Sequence, residues 1–339
     1  MNSFGSLFRI NMIGESHGPS VGIVIDGCPA GIPLAAEDFS ADIERRKGGL
    51  QKGTTPRKED DIPDFVSGLF NGKTTGAPLT MLFANNNTRS ADYEKLRSFP
   101  RPGHADFVAS QKFGGNEDYR GGGHFSGRLT VCLVAAGVVA KKILKLVDPD
   151  INCIAVIKEI AGEVDTEKGL QKAIDAKDSV GGIVECRVKN IPIGLGEPFF
   201  DSVESLISHA VFSIPAIKGI EFGTGFAAAK MFGSQHNDSL KSKDGTTTTN
   251  HAGGILGGIS SGNELVFRVV VKPTSSTPKE QQTLNVDSDQ VESFSVKGRH
   301  DLCIALRVPV VLEAVTAFVL ADLLLLEQKL GRVIQAQNV

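Results

Sequence analysis

The stretch RLTVCLVAAGVVAKKILKL, residues Arg128–Leu146, predicts a helix whose apolar side chains surround most of its circumference until Lys141. A helix without a broad polar face has to lie in the centre of a fold, where other elements cover it. A second helix of this kind is predicted at Val308–Leu330, where Glu313 and Asp322 interrupt the apolar run. These two interruptions favour a buried core helix over a membrane span. We therefore expect a fold that is built around central, buried helices.

The remaining elements are shorter and mix strands with helices. Strands are predicted at Val21–Asp26, Pro78–Ala84, Asn152–Ile157, Gly182–Val188, Gly219–Phe222 and Glu264–Val271. Helices are predicted at Leu34–Lys47, His104–Phe113, Thr166–Ala176 and Asp201–Phe212. Because the order does not repeat a regular βαβ unit, a doubly wound sheet is not favoured. We expect an α+β fold in layers, with buried central helices.

Composition argues against several classes of protein. With 339 residues, 41% of them hydrophobic, the chain can bury a substantial core in one large domain or two. Its net charge of −3 argues against a general nucleic-acid binder, which is usually strongly basic. Met1–Arg9 has no charged start followed by a long apolar run, so no signal peptide is predicted.

The cysteines are odd in number, far apart and without a CxxC pair. They are Cys28, Cys132, Cys153, Cys186 and Cys303. Zinc sites need closely spaced ligands, so this spacing argues against a bound metal. We expect reduced thiols and a cytoplasmic location.

Chemistry is expected in polar, glycine-rich loops, because a rigid scaffold can position such loops. The loop Gly14–Gly18 carries His17 after Ser16, and histidine is the side chain best suited to proton transfer near neutral pH. The loop Arg101–Asp106 carries His104 at the start of a predicted helix, where it could donate a proton to a phosphate ester. For each histidine, a purely structural place in a turn or at a helix start stays open as the alternative.

Two further loops offer groups that bind anions. In Arg120–Arg128, the run Gly121–Gly123 resembles a phosphate cradle, although it has neither the P-loop spacing nor a Rossmann fingerprint. Lys272–Ser276 combines one cation with three hydroxyl groups, a set that suits a phosphate. Because no GxSxG elbow is present, phosphate and carboxylate recognition explains these loops better than nucleophilic hydrolysis.

Basic residues also cluster at the end of the first predicted helix. Arg45–Lys47 could bind an anion, but a solvated helix end that complements the helix dipole is the alternative. Arg57 and Lys58 follow shortly afterwards and face the acidic run Glu59–Asp61. That run is expected to neutralise them.

Six segments, in this order along the chain, resemble motifs of the chorismate synthase family. They are Gly14–Gly18, Arg101–Asp106, Asp118–Gly123, Asn250–Gly262, Lys272–Ser276 and Gly298–Asp301. The resemblance runs from Phe8 to about Leu326, and it implies a single domain over residues 1–339. It also implies a β-α-β sandwich, with central helices between antiparallel sheets, and a homotetramer with neither a membrane nor a nucleic-acid partner.

The resemblance implies the reaction as well. Members of the family carry out a 1,4-anti elimination of phosphate from 5-enolpyruvylshikimate 3-phosphate to give chorismate, the last common step towards the aromatic amino acids. This carbon–oxygen lyase step causes no net redox change but requires reduced FMN, which donates an electron transiently and recovers it. The chain shows no added flavin-reductase domain. A monofunctional enzyme is therefore expected, in which NADPH serves only as an indirect reductant.

Individual residues take their expected roles from the same resemblance. His17 matches the family histidine that protonates reduced flavin. His104 matches the histidine that assists the departing phosphate. Asp301 matches the aspartate that works with flavin N5 to remove the substrate proton. The residues expected to bind substrate are Ser16, Arg46, Lys52 and Arg128. Those expected to contact the flavin are His124, Phe125, Ser126, Pro215, Ala216, Gly257, Lys272, Pro273, Thr274, Ser275, Ser276 and Arg299.

Two other functions compete with this one. A degenerate relative would bind flavin or phosphate without turnover, but His17, His104 and Asp301 are all intact. An RNA-binding module would use the basic loops, yet the chain has a negative net charge, two tyrosines and no tryptophan. Stacking platforms for bases need aromatic side chains. The elimination enzyme is therefore the function that the sequence favours.

Overall fold

The computed structural model describes residues 2–49, 52–55, 59–88, 96–296 and 300–328. Its helices are α1 (Ser40–Arg46), α2 (Asp106–Phe113), α3 (Thr130–Val147), α4 (Thr166–Ala176), α5 (Val203–Val211), α6 (Gly233–His236) and α7 (Val308–Leu326). Its strands are β1 (Ser3–Phe4), β2 (Arg9–Gly14), β3 (Ser20–Asp26), β4 (Asp64–Ser67), β5 (Leu69–Phe70), β6 (Lys73–Thr74), β7 (Leu79–Ala84), β8 (Asn152–Ile160), β9 (Gly182–Lys189), β10 (Ile217–Phe222), β11 (Ile255–Leu256), β12 (Ile259–Ser260), β13 (Leu265–Val271), β14 (Gln281–Asn285) and β15 (Gln290–Phe294).

Helices α3 and α7 form the centre of the fold and pack directly against each other. Most residues of both helices are buried, as their apolar patterns predicted. A Cβ added at Gly137 of α3 would stand 2.2 Å from the Cβ of Ala314 in α7, so the two backbones approach closely at a position without a side chain. Within the described residues, the segment Ile304–Leu326 has the length and composition of a membrane span, but 94% of its apolar window is buried inside the protein.

Replacing Gly137 by alanine should loosen the packing of α3 on α7. The added methyl group would also lie 2.4 Å from the Cα of Ala314, so the helices would have to separate. Overpacking costs about 1–3 kcal/mol, which exceeds the roughly 0.5–1 kcal/mol that alanine gains over glycine inside a helix. Urea unfolding followed by circular dichroism measures the loss. Gly233→Ala is the control, since a Cβ there meets no atom of the described residues within 4 Å; two equally stable variants would contradict this close approach.

Two antiparallel sheets cover the helices. The first has five strands in the order β1-β2-β3-β7-β4, and the second has four strands in the order β10-β13-β9-β8. Helix α3 packs on β3 of the first sheet, while α7 packs on β8 and β9 of the second. This order of sheet, helices and sheet confirms the predicted α+β fold with central helices between antiparallel sheets.

The two carboxylates that interrupt α7 are buried, and both are hydrogen-bonded. Glu313 accepts from Arg45 Nη2 at 2.7 Å, from Lys141 Nζ at 3.0 Å and from the backbone N–H of Ala155 at 3.0 Å. Asp322 accepts the backbone N–H groups of residues 6, 7 and 8 at 2.7–2.8 Å and thereby ties the start of the chain to α7. Burial alone would raise the pKa of Glu313, but Arg45 and Lys141 hold it below its ordinary value. Polar groups can lie in a core when they are satisfied in this way.

The predicted strands and helices are present, with shifts at their ends. The prediction of one helix over Leu34–Lys47 is wrong in its first half, because Ala36–Phe39 forms a 3₁₀ turn and α1 begins only at Ser40. The carboxylate of Asp38 accepts the backbone N–H of Ala35 at 2.8 Å and closes that turn. Nine of the strands named above were not predicted, since they are short or carry few buried side chains; they are β1, β2, β4, β5, β6, β11, β12, β14 and β15.

The helix predicted at His104–Phe113 begins two residues later, at Asp106. Gly103, directly before the predicted helix, has a left-handed φ of 70°, and Ala105 is the N-cap of α2. The backbone N–H of His104 donates to the carbonyl of Arg101 at 3.1 Å and closes a turn. His104 therefore lies in a turn ahead of α2 and not within the helix.

Candidate active site

A cavity of about 860 Å³ lies where helices α3 and α7 begin, with Thr130 and Val308 in its wall. Most of the residues predicted from the sequence to bind ligands line it. They are Arg46, His104, His124, Phe125, Ser126, Arg128, Pro215, Ala216, Lys272, Thr274, Ser275, Ser276 and Asp301. These residues come from separate stretches of the chain, and the tertiary fold brings them together around one cavity.

The other residues predicted to bind ligands either do not line the cavity or lie outside the described residues. Lys52 is exposed, and its ammonium group donates to Gln171 Oε1 at 3.2 Å. Gly257 lies in the turn between β11 and β12, and neither it nor Pro273 is among the residues that line the cavity. Arg299 lies outside the described residues. Within one subunit, Lys52, Gly257 and Pro273 are thus separate from the residues that line the cavity.

The glycine run contacts both predicted histidines. Gly121, Gly122 and Gly123 all have left-handed φ angles, of 61°, 80° and 53°, which residues with a Cβ disfavour. A Cβ added at Gly121 would stand 2.4 Å from His17 Cδ2, and one added at Gly122 would stand 3.4 Å from His104 Cε1. Only glycine therefore lets the turn pack tightly between these two rings.

Ser16 and His17 are buried behind the glycine turn. Their exposed fractions are 0% and 8%, and Gly121, which does line the cavity, covers them. The backbone N–H of Ser16 donates to the carbonyl of Gly123 at 3.1 Å. Among the described residues, Ser16 Oγ has no hydrogen-bond partner although it is buried. Buried polar atoms are normally paired, so this hydroxyl group is free to meet a ligand or a water.

A buried carboxylate joins two of the predicted anion-binding arginines. Asp61 Oδ2 accepts from Arg46 Nη2 at 2.6 Å, and Asp61 Oδ1 accepts from Arg128 Nη1. Arg128 also donates to Asn85 Oδ1 at 2.9 Å and to the carbonyl of Ala84 at 3.0 Å. Asp61 thus neutralises two arginines that line the cavity. Arg57 and Lys58, which the acidic run was expected to neutralise, lie outside the described residues.

The charges in this group shift one another. Burial, together with the neighbouring cations of Arg307 and Arg128, lowers the pKa of the Arg46 guanidinium to about 10, although Asp61 opposes the shift. Burial would raise the pKa of Asp61, but Arg46 and Arg128 together hold it below its ordinary value. Among the described residues, Arg46 Nε is buried without a hydrogen-bond partner. Arg46 Nε is therefore a buried hydrogen-bond donor, on a residue that lines the cavity, that a ligand could use.

Asp301 is held from two sides. Its Oδ2 accepts from Arg307 Nη1 at 3.0 Å, and its Oδ1 accepts the backbone N–H of Thr55 at 2.8 Å. Arg307 Nε donates in turn to the carbonyl of Arg46 at 2.8 Å. Arg307 thus connects Asp301, which is predicted to act in removing the substrate proton, to Arg46.

His104 lies in a compact cluster with Arg101 and Asp106. Its Nδ1 is 2.6 Å from Asp106 Oδ1, while Arg101 donates through Nε to Asp106 Oδ2 at 2.7 Å and through Nη2 to Asp106 Oδ1 at 2.8 Å. Burial would raise the pKa of Asp106, but its hydrogen bonds from Arg101 and His104 hold it far below the ordinary range. Asp106 is therefore a firmly ionised partner for the histidine.

The loop Lys272–Ser276 docks onto this cluster. Arg101 Nη1 donates to Ser276 Oγ at 3.1 Å, and Ser275 Oγ donates to the carbonyl of Gly103 at 2.7 Å. Lys272 Nζ donates to Ser275 Oγ at 2.7 Å, and burial lowers the pKa of this lysine, as does the nearby charge of Lys218. In the described part of the chain, Thr274 Oγ1 is a further buried atom without a hydrogen-bond partner. The loop thus presents a cation and an unused hydroxyl group.

Sequence reasoning assigned no role to Asp61, Asp106 or Arg307. Asp106 stood within a recognised motif, two residues from His104, and that spacing was a usable signal. Asp61 carried no comparable signal, because its partners Arg46 and Arg128 lie 15 and 67 residues away in the chain. Arg307 lies only six residues from Asp301, so their spacing in the chain was a usable signal.

Comparison with known proteins shows the family of the chain. The profile of the family described as chorismate synthase matches residues 8–325. A chorismate synthase of Chitinophaga pinensis is 72% identical over 98% of this chain and 99% of the relative, and one of Methanocaldococcus jannaschii is 40% identical over 96% of each. A solved structure titled "Crystal Structure of Chorismate Synthase" superposes with a TM-score of 0.71 at 27% identity, covering 96% of this chain and 93% of that one. The chain belongs to the chorismate synthase family.

Proposed function

We propose that the chain eliminates phosphate from 5-enolpyruvylshikimate 3-phosphate to give chorismate, with reduced FMN bound in the same cavity. One observation carries the proposal: the described lining is strongly cationic although the whole chain has a net charge of −3. Its basic side chains are Arg46, Lys47, Arg101, Arg128, Lys272 and Arg307, and its acidic ones are Glu59 and Asp301. Two carboxylates and a phosphate on one substrate need several cations, and arginine pairs with such groups in a bidentate manner.

The cavity also fits a flavin. Its volume of about 860 Å³ lies in the upper part of the range of small-molecule sites. Apolar side chains, among them Phe125 and Ile304, line part of it, and the buried Thr274 Oγ1 and Arg46 Nε lack partners among the described residues. The residues that would hold the cofactor are His124, Phe125, Ser126, Pro215, Ala216, Lys272, Thr274, Ser275 and Ser276. When bound, reduced FMN supplies an electron to the substrate transiently and recovers it.

The chain's own residues then divide the remaining work. His104 donates a proton to the departing phosphate oxygen, while the arginines hold the substrate anions in place. Asp301 receives the proton that leaves the substrate ring, and Arg307 keeps its carboxylate oriented. His17, which is buried behind the glycine turn with Ser16, would supply a proton to the cofactor when it is bound. Lys52 and Gly257 are not among the residues that line the cavity, so we assign them no ligand contact within one subunit.

The proposal includes the setting in which the enzyme works. We place a homotetramer in a reducing, cytoplasmic compartment, supplied with FMN that is reduced elsewhere and with NADPH only as a distant electron source. All five cysteines are buried and free, which fits such a compartment. Light scattering after gel filtration tests the assembly: a mass near four times the 36.0 kDa chain supports it, and a monomer mass contradicts it.

An anaerobic assay tests the reaction itself. Purified protein is mixed with chemically reduced FMN and 5-enolpyruvylshikimate 3-phosphate, and inorganic phosphate and chorismate are followed together. We expect both products in equal amounts, and none when the FMN is left oxidised. Phosphate without chorismate would indicate hydrolysis. Retention of FMN by well-folded protein without either product would indicate a binding protein and would overturn the proposal.

A further inference from the structure

We propose that Asp106 is a positioning residue that fixes the tautomer of His104, keeping the hydrogen on Nδ1 and leaving Nε2 as the atom that takes up and releases the proton. The inference rests on the proposed function, in which His104 serves the departing phosphate. It concerns a residue that touches His104 and lies behind the cavity wall, since Asp106 is not among the lining residues.

The hydrogen-bond pattern around Asp106 leaves one place for the histidine hydrogen. Asp106 Oδ2 accepts from Arg101 Nε at 2.7 Å and from the Arg101 backbone N–H at 3.1 Å, while Oδ1 accepts from Arg101 Nη2 at 2.8 Å. His104 Nδ1 lies 2.6 Å from the same Oδ1. A contact this short between a nitrogen and an ionised carboxylate requires a hydrogen on the nitrogen. Nδ1 therefore carries it.

One other contact competes with this assignment. Arg101 Nη2 lies 3.0 Å from His104 Nδ1, and an arginine can only donate. Nδ1 would have to be the hydrogen-free nitrogen to accept from it. That arrangement would leave the lone pair of His104 Nδ1 facing the Asp106 carboxylate at 2.6 Å, and the two would repel each other. Arg101 Nη2 does not need Nδ1 as an acceptor, because it already donates to Asp106 Oδ1. The hydrogen bond to the carboxylate is therefore the stable choice.

The second ring nitrogen of His104, Nε2, lies on the side of the ring that faces Gly122. A Cβ placed on Gly122 would stand 3.6 Å from His104 Nε2, and His104 lines the cavity. The side chains of His104, Asp106 and Arg101 are only 21%, 15% and 5% exposed, so water competes weakly for these hydrogen bonds. The cluster thus holds Nδ1 in place, and Nε2 is the ring nitrogen that Asp106 and Arg101 leave for a ligand in the cavity that His104 lines.

The variant Asp106→Asn should reverse the tautomer. Two N–H groups of Arg101 face the position of Oδ2, and neither can lose its hydrogen. The amide oxygen of asparagine therefore keeps the position that faces two donors, and its NH₂ group takes the place of Oδ1, which faces only one arginine donor, Arg101 Nη2. The NH₂ group then donates to His104 Nδ1, which moves the ring hydrogen to Nε2. An aspartate-to-asparagine change beside a catalytic histidine has this effect in serine proteases.

Nuclear magnetic resonance of protein labelled with ¹⁵N-histidine tests the assignment without measuring activity. Two-bond ¹H–¹⁵N spectra distinguish the tautomers of a neutral ring, and the signal missing from His104→Ala identifies His104. We expect the Nδ1–H form in the parent and the Nε2–H form in Asp106→Asn. An Nε2–H form in the parent overturns the proposal, even if the variant does not fold. An unchanged tautomer in folded Asp106→Asn overturns it as well.

A double-mutant cycle tests whether Asp106 acts through His104. Asp106→Asn should lower kcat at least about tenfold, with little change in KM, and the double variant with His104→Ala should be no slower than His104→Ala alone. Losses that multiply would show that Asp106 matters mainly by holding Arg101, and would contradict the proposal. An inactive parent that shows the Nδ1–H tautomer would defeat the proposed function and leave the tautomer assignment intact.

Discussion

His104→Ala should lower kcat by roughly 10²–10⁴-fold, because a positioned general acid typically contributes that much. The variant removes the group that meets the departing phosphate, while the flavin contacts proposed at Lys272–Ser276 and His124–Ser126 stay in place. FMN affinity should therefore change little. Anaerobic turnover with reduced FMN gives kcat, and quenching of flavin fluorescence gives the dissociation constant in the same preparation.

The control for this variant is His236→Ala. His236 lies in α6 and does not line the cavity, so its loss should leave both kcat and FMN affinity near the parent values. If His104→Ala turned over as fast as the parent, the role given to His104 would be wrong. If it lost turnover only because FMN no longer bound, the histidine would belong to the cofactor site and not to the acid–base chemistry.

Asp61→Asn should lower the free energy of unfolding by about 3–5 kcal/mol, the usual cost of removing one partner from a buried ion pair. The Asp61 side chain is 0% exposed and lies between Arg46 and Arg128, whose side chains are 4% and 3% exposed. Asparagine keeps the shape of the side chain and tolerates the left-handed φ of 55° at this position. The loss therefore reports on charge more than on backbone strain.

Urea unfolding at several pH values measures this effect. The pKa of Asp61 is lowered in the folded state, so its charge adds stability above the unfolded pKa of about 4. That contribution disappears as the pH falls through the folded pKa. The parent and Asp61→Asn should thus differ most near neutrality and converge in acid. The exposed Asp60→Asn is the matched control, and an equal loss in that variant would contradict the buried ion pair.

The sequence by itself predicted the centre of the fold and the parts of the site that follow local patterns. The apolar surface around Arg128–Leu146 and Val308–Leu330 required burial, and α3 and α7 are indeed the central layer. Motifs that lie close together in the chain, such as Arg101–Asp106 and Lys272–Ser276, could be recognised as anion-binding loops. In each case the information lies within one helix or one loop, where neighbours in sequence are neighbours in space.

Only the tertiary structure decided which charges meet. Asp61 pairs with Arg46 and Arg128, which lie 15 and 67 residues away in the chain. Arg307 reaches Asp301 because the start of α7 faces the cavity, while Lys52 turns outward to Gln171. Periodicity reveals which face of an element is buried, but Coulomb energy depends on distance and burial in three dimensions. The partners of a buried charge are therefore fixed only when the sheets and helices have packed.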